Sequence, residues 1–201
     1  LGPTNMGGRI SDIAGVERDP STMFVATGTG GVFKTTNMGT TWTPVFEKEA
    51  VASTGAVAVW QKNPSIVWVG TGEANSRNSS SWGRGVYRSE DGGGSWKCVG
   101  LEATSTLSRI VTDPADSNVA YVAALGRLWG ENPERGVFRT RDGGRTWQHV
   151  LKVDARTGAV DLAMDPSDAK TLYAAMYARR RTAWSYEGVS GSGGVYKSTD
   201  G

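Results

Sequence analysis

Three short stretches gather the residues best suited to chemistry. They read GEANSRNSSSWGRG (72–85), LGRLWGENPERG (125–136) and YARRRTAWSYEGVSGSGG (177–194). Each holds one tryptophan, at least two arginines and one or more glutamates. Glu73, Glu131, Glu134 and Glu187 are candidates for the two carboxylates that cleave a glycosidic bond, but no spacing in the sequence selects a pair. Arg77, Arg84, Arg127 and the run Arg179, Arg180, Arg181 have the planar fork that grips carboxylate or phosphate through two hydrogen bonds. Trp82, Trp129 and Trp184 offer flat apolar faces on which sugar rings or an aromatic ligand can stack. The plainer alternative is that each tryptophan anchors its own loop and each arginine is solvated or paired with a nearby glutamate. Asn78-Ser79-Ser80 also reads as a glycosylation sequon, a short pattern that is common by chance.

Other chemistries have little to draw on. His149 is the single histidine and Cys98 the single cysteine, so neither a metal centre nor an internal disulfide is expected, and no cofactor motif is present. The net charge of +2, from 22 basic and 20 acidic residues, gives no general drive toward nucleic acid. A three-residue arginine run ordinarily forms a solvated face. No apolar run approaches the ~20 residues of a membrane span.

The elements that position these stretches repeat. TTNMGTTW (35–42), SEDGGGSW (89–96) and TRDGGRTW (140–147) share the pattern S/T-x-D-x-G-x-S/T-W, and STDG opens a fourth copy at 198. Asn37 stands where the other copies have Asp91, Asp142 and Asp200. Trp42, Trp96 and Trp147 close the three full copies. A second signal, RDPS (18–21), KNPS (62–65), TDPAD (112–116) and MDPSD (164–168), precedes each one and has the residues of a type I turn. Between the signals lie short runs rich in strand formers, such as LSRIVTD, NVAYVAAL, RGVFRTR and RTWQHVL in the third unit.

Four antiparallel strands in a unit of about 50 residues make a β-propeller blade. The fold expected is therefore all-β: a propeller fragment of about four four-stranded antiparallel blades, the last truncated. The blades span approximately 7–53, 54–106, 107–157 and 158–201, with no separate second domain. The chain starts at Leu1 and stops inside the fourth motif copy, so the remaining blades of a longer ring are its expected partners.

In such a blade, turns alternate between two rims. The first–second turn and the motif turn, between the third and fourth strands, share one rim. The second–third loops share the other. The interval from turn Asp/Asn to motif Asp/Asn is 18, 28, 29 and 35 residues in successive units, while the interval from motif to next turn stays at 26, 22 and 23. Nearly all the length variation thus falls in the second–third loops, which are the three stretches above. Per-repeat insertions on one face often form a binding surface.

The repeated motif resembles the Asp-box, or BNR repeat, of sialidases, sortilin-type propellers, xyloglucan-degrading hydrolases and the photosystem II assembly factor group. GPTNMGGRISDIA and YAAMYARRRTAWS further resemble large bacterial Asp-box proteins grouped as glycosyl hydrolase-like or sortilin N-terminal-like, within the broader WD40/YVTN-like repeat class. The resemblance implies a turn-building motif and an extracytoplasmic location. It departs from the catalytic members at particular positions. Sialidases carry an Arg-Ile-Pro motif and a Tyr–Glu nucleophile pair. Here Arg9-Ile10 is followed by Ser11, and Tyr186-Glu187 are adjacent. The xyloglucanases carry a base Asp in a segment similar to VATGTGGVF (25–33), where this chain has Gly28. The expected function is non-catalytic binding of a glycan or peptide through the second–third loops. The alternative is part of a glycoside hydrolase whose other active-site residues lie outside the chain.

Overall fold

A computed structural model describes residues 8–189 and 191–201. The first sheet contains β1 (Ile10–Val16), β2 (Asp19–Thr27), β3 (Gly31–Thr35) and β4 (Thr43–Pro44) in sequential antiparallel order. The second repeats the order with β5 (Thr54–Val59), β6 (Val67–Thr71), β7 (Val86–Ser89) and β8 (Lys97–Cys98). The third does so with β9 (Leu107–Thr112), β10 (Ala120–Ala124), β11 (Gly136–Thr140) and β12 (Gln148–Leu151). The fourth sheet pairs β13 (Thr157–Asp165) with β14 (Asp168–Ala178) and β14 with β17 (Gly194–Ser198). A two-stranded ribbon, β15 (Arg180–Arg181) and β16 (Tyr186–Glu187), stands inside its long loop. That ribbon is invisible in the sequence because polar two-residue strands have no periodicity.

The sheets pack face to face through apolar side chains. Phe24, Val32 and Phe46 of the first meet Val57, Val67, Val69 and Tyr87 of the second. Trp68, Val86, Leu107, Ile110 and Val122 fill the next interface, and Val137, Ala159, Leu162 and Met176 the one after. Valine and alanine dominate because strands covered on both faces need compact apolar groups on either side. The outermost strands are short. Trp96 and Trp147 sit just before β8 and β12 and fold onto the preceding sheet instead. Trp96 Nε1 donates to Val45 O at 2.7 Å and Trp147 Nε1 to Val99 O at 2.7 Å.

The second and third motif turns are tied by the same hydrogen bonds, and the first by a close variant of them. Asp91 Oδ1 accepts from Ser95 N and Ser89 Oγ, both at 2.8 Å, and Asp91 Oδ2 accepts from Ser95 Oγ at 2.6 Å. Asp142 does the same with Thr146 N (2.9 Å), Thr140 Oγ1 (2.9 Å) and Thr146 Oγ1 (2.7 Å). In the first copy Asn37 Oδ1 accepts from Thr41 N and Thr35 Oγ1, both at 2.9 Å. Its amide nitrogen turns the last bond around and donates to Thr41 Oγ1 at 2.8 Å. Ser198 Oγ donates to Asp200 Oδ1 at 2.9 Å in the fourth. Gly39, Gly93 and Gly144 take φ of 81°, 92° and 90°, which other residues resist. The motif turns also bond to the first–second turns of their own sheets: Met38 N to Ser21 O, Gly92 N to Ser65 O, Gly143 N to Asn118 O and Gly201 N to Lys170 O. The two kinds of turn therefore share one rim. One detail differs from the sequence reading. In the first sheet the chain reverses at residues 17–18, with Val16 paired to Asp19, so Asp19-Pro20 already lies in β2.

These bonds set an acid limit. Asp91 and Asp142 are held at a pKa of about 2, first by the side-chain hydroxyls of Ser95 and Thr146, then by backbone N–H groups. A carboxyl depressed in the folded state adds stability above its unfolded pKa of ~4, and that stability is lost as pH falls through the folded value. Stability should therefore drop between about pH 4 and pH 2. The double variant Asp91→Asn/Asp142→Asn should show a flatter drop, since Asn37 shows that an amide can hold the same turn. Urea midpoints measured across that range test this. Equal slopes for parent and variant would refute it.

The first strands of successive sheets lie side by side and carry a bulge at matching places: between Ile10 and Asp12, Thr54 and Ala56, and Ala159 and Asp161, with β9 irregular opposite Ala123 and Ala124. Just past the bulge stand Asp12, Ala56, Arg109 and Asp161. Arg109 Nη1 meets Asp12 Oδ1 at 3.0 Å and Arg109 Nε meets Asp161 Oδ1 at 2.8 Å. The small Ala56 stands at the corresponding place in the intervening sheet.

Candidate functional site on the second–third loop rim

The second–third loops lie at the opposite rim and join into one platform. The first link is Arg179, whose Nη1 donates to Ala74 O at 2.6 Å and Nη2 to Gly126 O at 3.2 Å. One side chain of the third insertion thereby holds the backbones of the other two. Arg135 is the second link. It donates to Leu125 O, to Arg127 O at 2.5 Å, to Gly130 O at 3.2 Å and to Arg179 O at 3.1 Å. Arg181 N donates to Leu128 O at 2.8 Å, and Ser76 Oγ shares a hydrogen bond with Tyr186 OH at 3.1 Å. Burial lowers the pKa of Arg135 and Arg179 to about 10, and for Arg135 the neighbouring Arg179 charge adds to the effect. Both still carry charge at neutral pH.

Several expected site residues prove to be internal. Arg179 is 1% exposed and Glu73 fully buried, so neither faces a ligand on the surface. Arg179 is drawn in by the carbonyls it satisfies. Glu73 is drawn in by Arg9, with which it forms an ion pair. The missing side chain of Gly28 leaves room for that pair: a Cβ there would lie 3.2 Å from both Glu73 Cδ and Oε1. The run 179–181 is accordingly not a solvated face at Arg179. Arg180 and Arg181 are half-buried, Arg180 facing Glu187 at 4.0 Å and Arg181 lying 5.3 Å from the centre of the Tyr186 ring.

The carboxylates do not form a free pair. Glu73 is paired with Arg9, Glu131 with Arg156 at 3.1 Å and Glu187 with Arg180. Of the four, only Glu134 lacks an ion pair among the described residues. Tyr186 and Glu187 have different partners. The tyrosine hydroxyl meets Tyr177 OH at 2.5 Å, and burial together with this bond pushes the Tyr177 hydroxyl up to about 12. The tryptophans are the opposite case. Trp82, Trp129 and Trp184 are 63%, 40% and 89% exposed, so they do not serve as buried loop anchors. Arg77, Arg84 and Arg127 are exposed beside them in sequence.

Sequence reasoning missed Arg9 and Arg135. Nothing in GGRIS marks Arg9 as the partner of a buried carboxylate, and nothing in NPERG marks Arg135 for burial; only the Glu73 carboxylate and the surrounding carbonyls do. A signal for Glu73 did exist in the glycine at position 28, which the structure shows to be a space.

No family model matches the chain, and no curated protein matches it. Solved structures do. The GH74 enzyme of Niastella koreensis matches with a TM-score of 0.65 and 24% identity, over 94% of this chain and 28% of that one. The GH74 xyloglucanase of Xanthomonas campestris matches with a TM-score of 0.66 and 17% identity, over 98% and 30%. YCF48 bound to D1 peptide matches with a TM-score of 0.57 and 16% identity, over 94% and 56%. This chain thus spans under a third of the length of the two enzymes. At these identities the likeness is one of fold, and with the repeated four-stranded sheets it makes this chain a β-propeller fragment.

Proposed function

We propose that the chain is part of a carbohydrate-binding propeller whose insertion rim holds a glycan without itself supplying a complete catalytic pair. One observation carries this reading. Three insertions are fastened together by two buried arginines, yet leave Trp82, Trp129 and Trp184 exposed. Exposed aromatic groups on a surface ordered in advance suit ligand capture, because little is lost in ordering them on binding. The ion pairs of Glu73, Glu131 and Glu187 support a binding role over a hydrolytic one. An extracytoplasmic location and a ring completed by further blades belong to the same proposal.

A glycan and peptide array probed with the full-length protein tests it, since YCF48 bound to D1 peptide keeps a peptide ligand in view. Trp82→Ala and Trp184→Ala should each weaken glycan binding about tenfold, or ~1.4 kcal/mol. Unchanged binding in both would rule out this face. The likeness to GH74 enzymes favours a second reading, a share in a glycoside hydrolase active site. Release of reducing ends from xyloglucan, lost in Glu134→Gln, would support it.

A further inference from the structure

Charge on the insertion rim is one-sided. The three insertions contain seven arginines, four glutamates and no lysine or aspartate, while the whole chain carries only +2. Two of the glutamates are also neutralised from outside, Glu73 by Arg9 and Glu131 by Arg156. Among the insertion arginines only Arg180 faces a carboxylate within ion-pair distance among the described residues. Arg135 and Arg179 lie beneath the surface with backbone carbonyls as their hydrogen-bond partners. Carbonyl dipoles orient a guanidinium but do not cancel its charge. At reduced local dielectric that charge acts on the surface above more strongly than it would in water.

We propose that the ligand of this rim is an anionic glycan bearing ring carboxylates, with the indoles stacking on its rings and Arg77, Arg127 and Arg181 receiving its acid groups. This rests on the binding role proposed above and specifies its substrate class. A planar carboxylate matches the guanidinium fork through two parallel hydrogen bonds, which a hydroxyl of a neutral sugar cannot offer. Exposed indoles on all three fastened loops offer flat faces to a chain of rings, more than to an extended acidic peptide. A nucleic acid would present a phosphate at every residue, and the overall charge of +2 is small for that demand.

The test compares polygalacturonate with its fully methyl-esterified form, which has the same backbone without the charges, using calorimetry on the full-length protein. The acid form should bind about tenfold tighter, and that advantage should shrink as sodium chloride is raised from about 50 to about 500 mM. Arg127→Ala and Arg181→Ala should each cost about fivefold on the acid form and leave the ester form nearly unchanged, whereas Trp82→Ala should weaken both. Equal affinity for the two forms would overturn the charge assignment and leave the binding role standing. Binding to neither form, nor to xyloglucan, would overturn both. Tighter binding of poly-glutamate, of a sulfated galactan or of a single-stranded oligonucleotide would overturn the assignment to carboxylated glycan.

Discussion

Arg9→Ala should lower the unfolding free energy by about 3 kcal/mol. Glu73 is fully buried, and among the described residues its two carboxylate oxygens have no hydrogen-bond partner apart from the Arg9 ion pair. Removing the guanidinium strands a charge where water does not reach, which costs about 3–5 kcal/mol when both ions are enclosed. The Arg9 side chain is 35% exposed, so the lower end applies. The double variant Arg9→Ala/Glu73→Gln should recover much of the loss, because a neutral amide tolerates the same space better than an unpaired carboxylate. Urea unfolding of the parent, the single and the double variant measures both quantities. A single-variant loss below about 1 kcal/mol, the scale of an exposed pair, would show that the ion pair does not stabilise the fold.

Gly55→Ala should be comparably damaging for a steric reason. Gly55 sits at the bulge of β5, and a Cβ there would lie 2.0 Å from Leu107 O and 2.3 Å from Gly72 O. Both are backbone atoms, so no side chain can rotate away. The matching bulge residues of the first and third sheets are serines. Ser11 Oγ donates to Thr54 O at 2.7 Å and Ser108 Oγ to Ala159 O at 3.0 Å. There the adjoining sheet stands far enough off for a hydroxyl; between the second and third sheets it does not. Overpacking of this kind costs about 3 kcal/mol at the upper end of its usual range. Gly191→Ala is the control, since a Cβ there meets nothing within 4 Å. Thermal unfolding should separate the two clearly. A Gly55→Ala variant as stable as Gly191→Ala would contradict the close approach of the sheets.

The sequence disclosed the architecture more fully than the site. Repeated motifs and period-two apolar runs report local hydrogen bonding and burial, so the strands and the rim assignment could be read from residues such as Asp91, Gly93 and Val122. Loop lengths then singled out the insertion rim. What could not be read was the fate of each charged side chain on it. Arg127 and Arg179 are alike in sequence, yet one is exposed and the other buried. The difference lies in carbonyls supplied by residues 53 and 105 positions away, at Gly126 and Ala74. Long-range partners of that kind leave no local pattern. The tryptophans illustrate the converse: Trp96 and Trp147 find carbonyls in the preceding sheet and are partly covered, while Trp82 and Trp184 find none among the described residues and stay exposed.

Arg109 adds a connection that repetition alone would not produce. In a stack of repeats each unit touches only its neighbours, and the array can come apart one unit at a time. Here one guanidinium joins β1 to β9 across a separation of 97 residues and β9 to β13 across 52. Losing the first sheet therefore also disturbs the third. The innermost strands behave as the hub of a wheel, in which the load on one spoke is shared by others that it never touches.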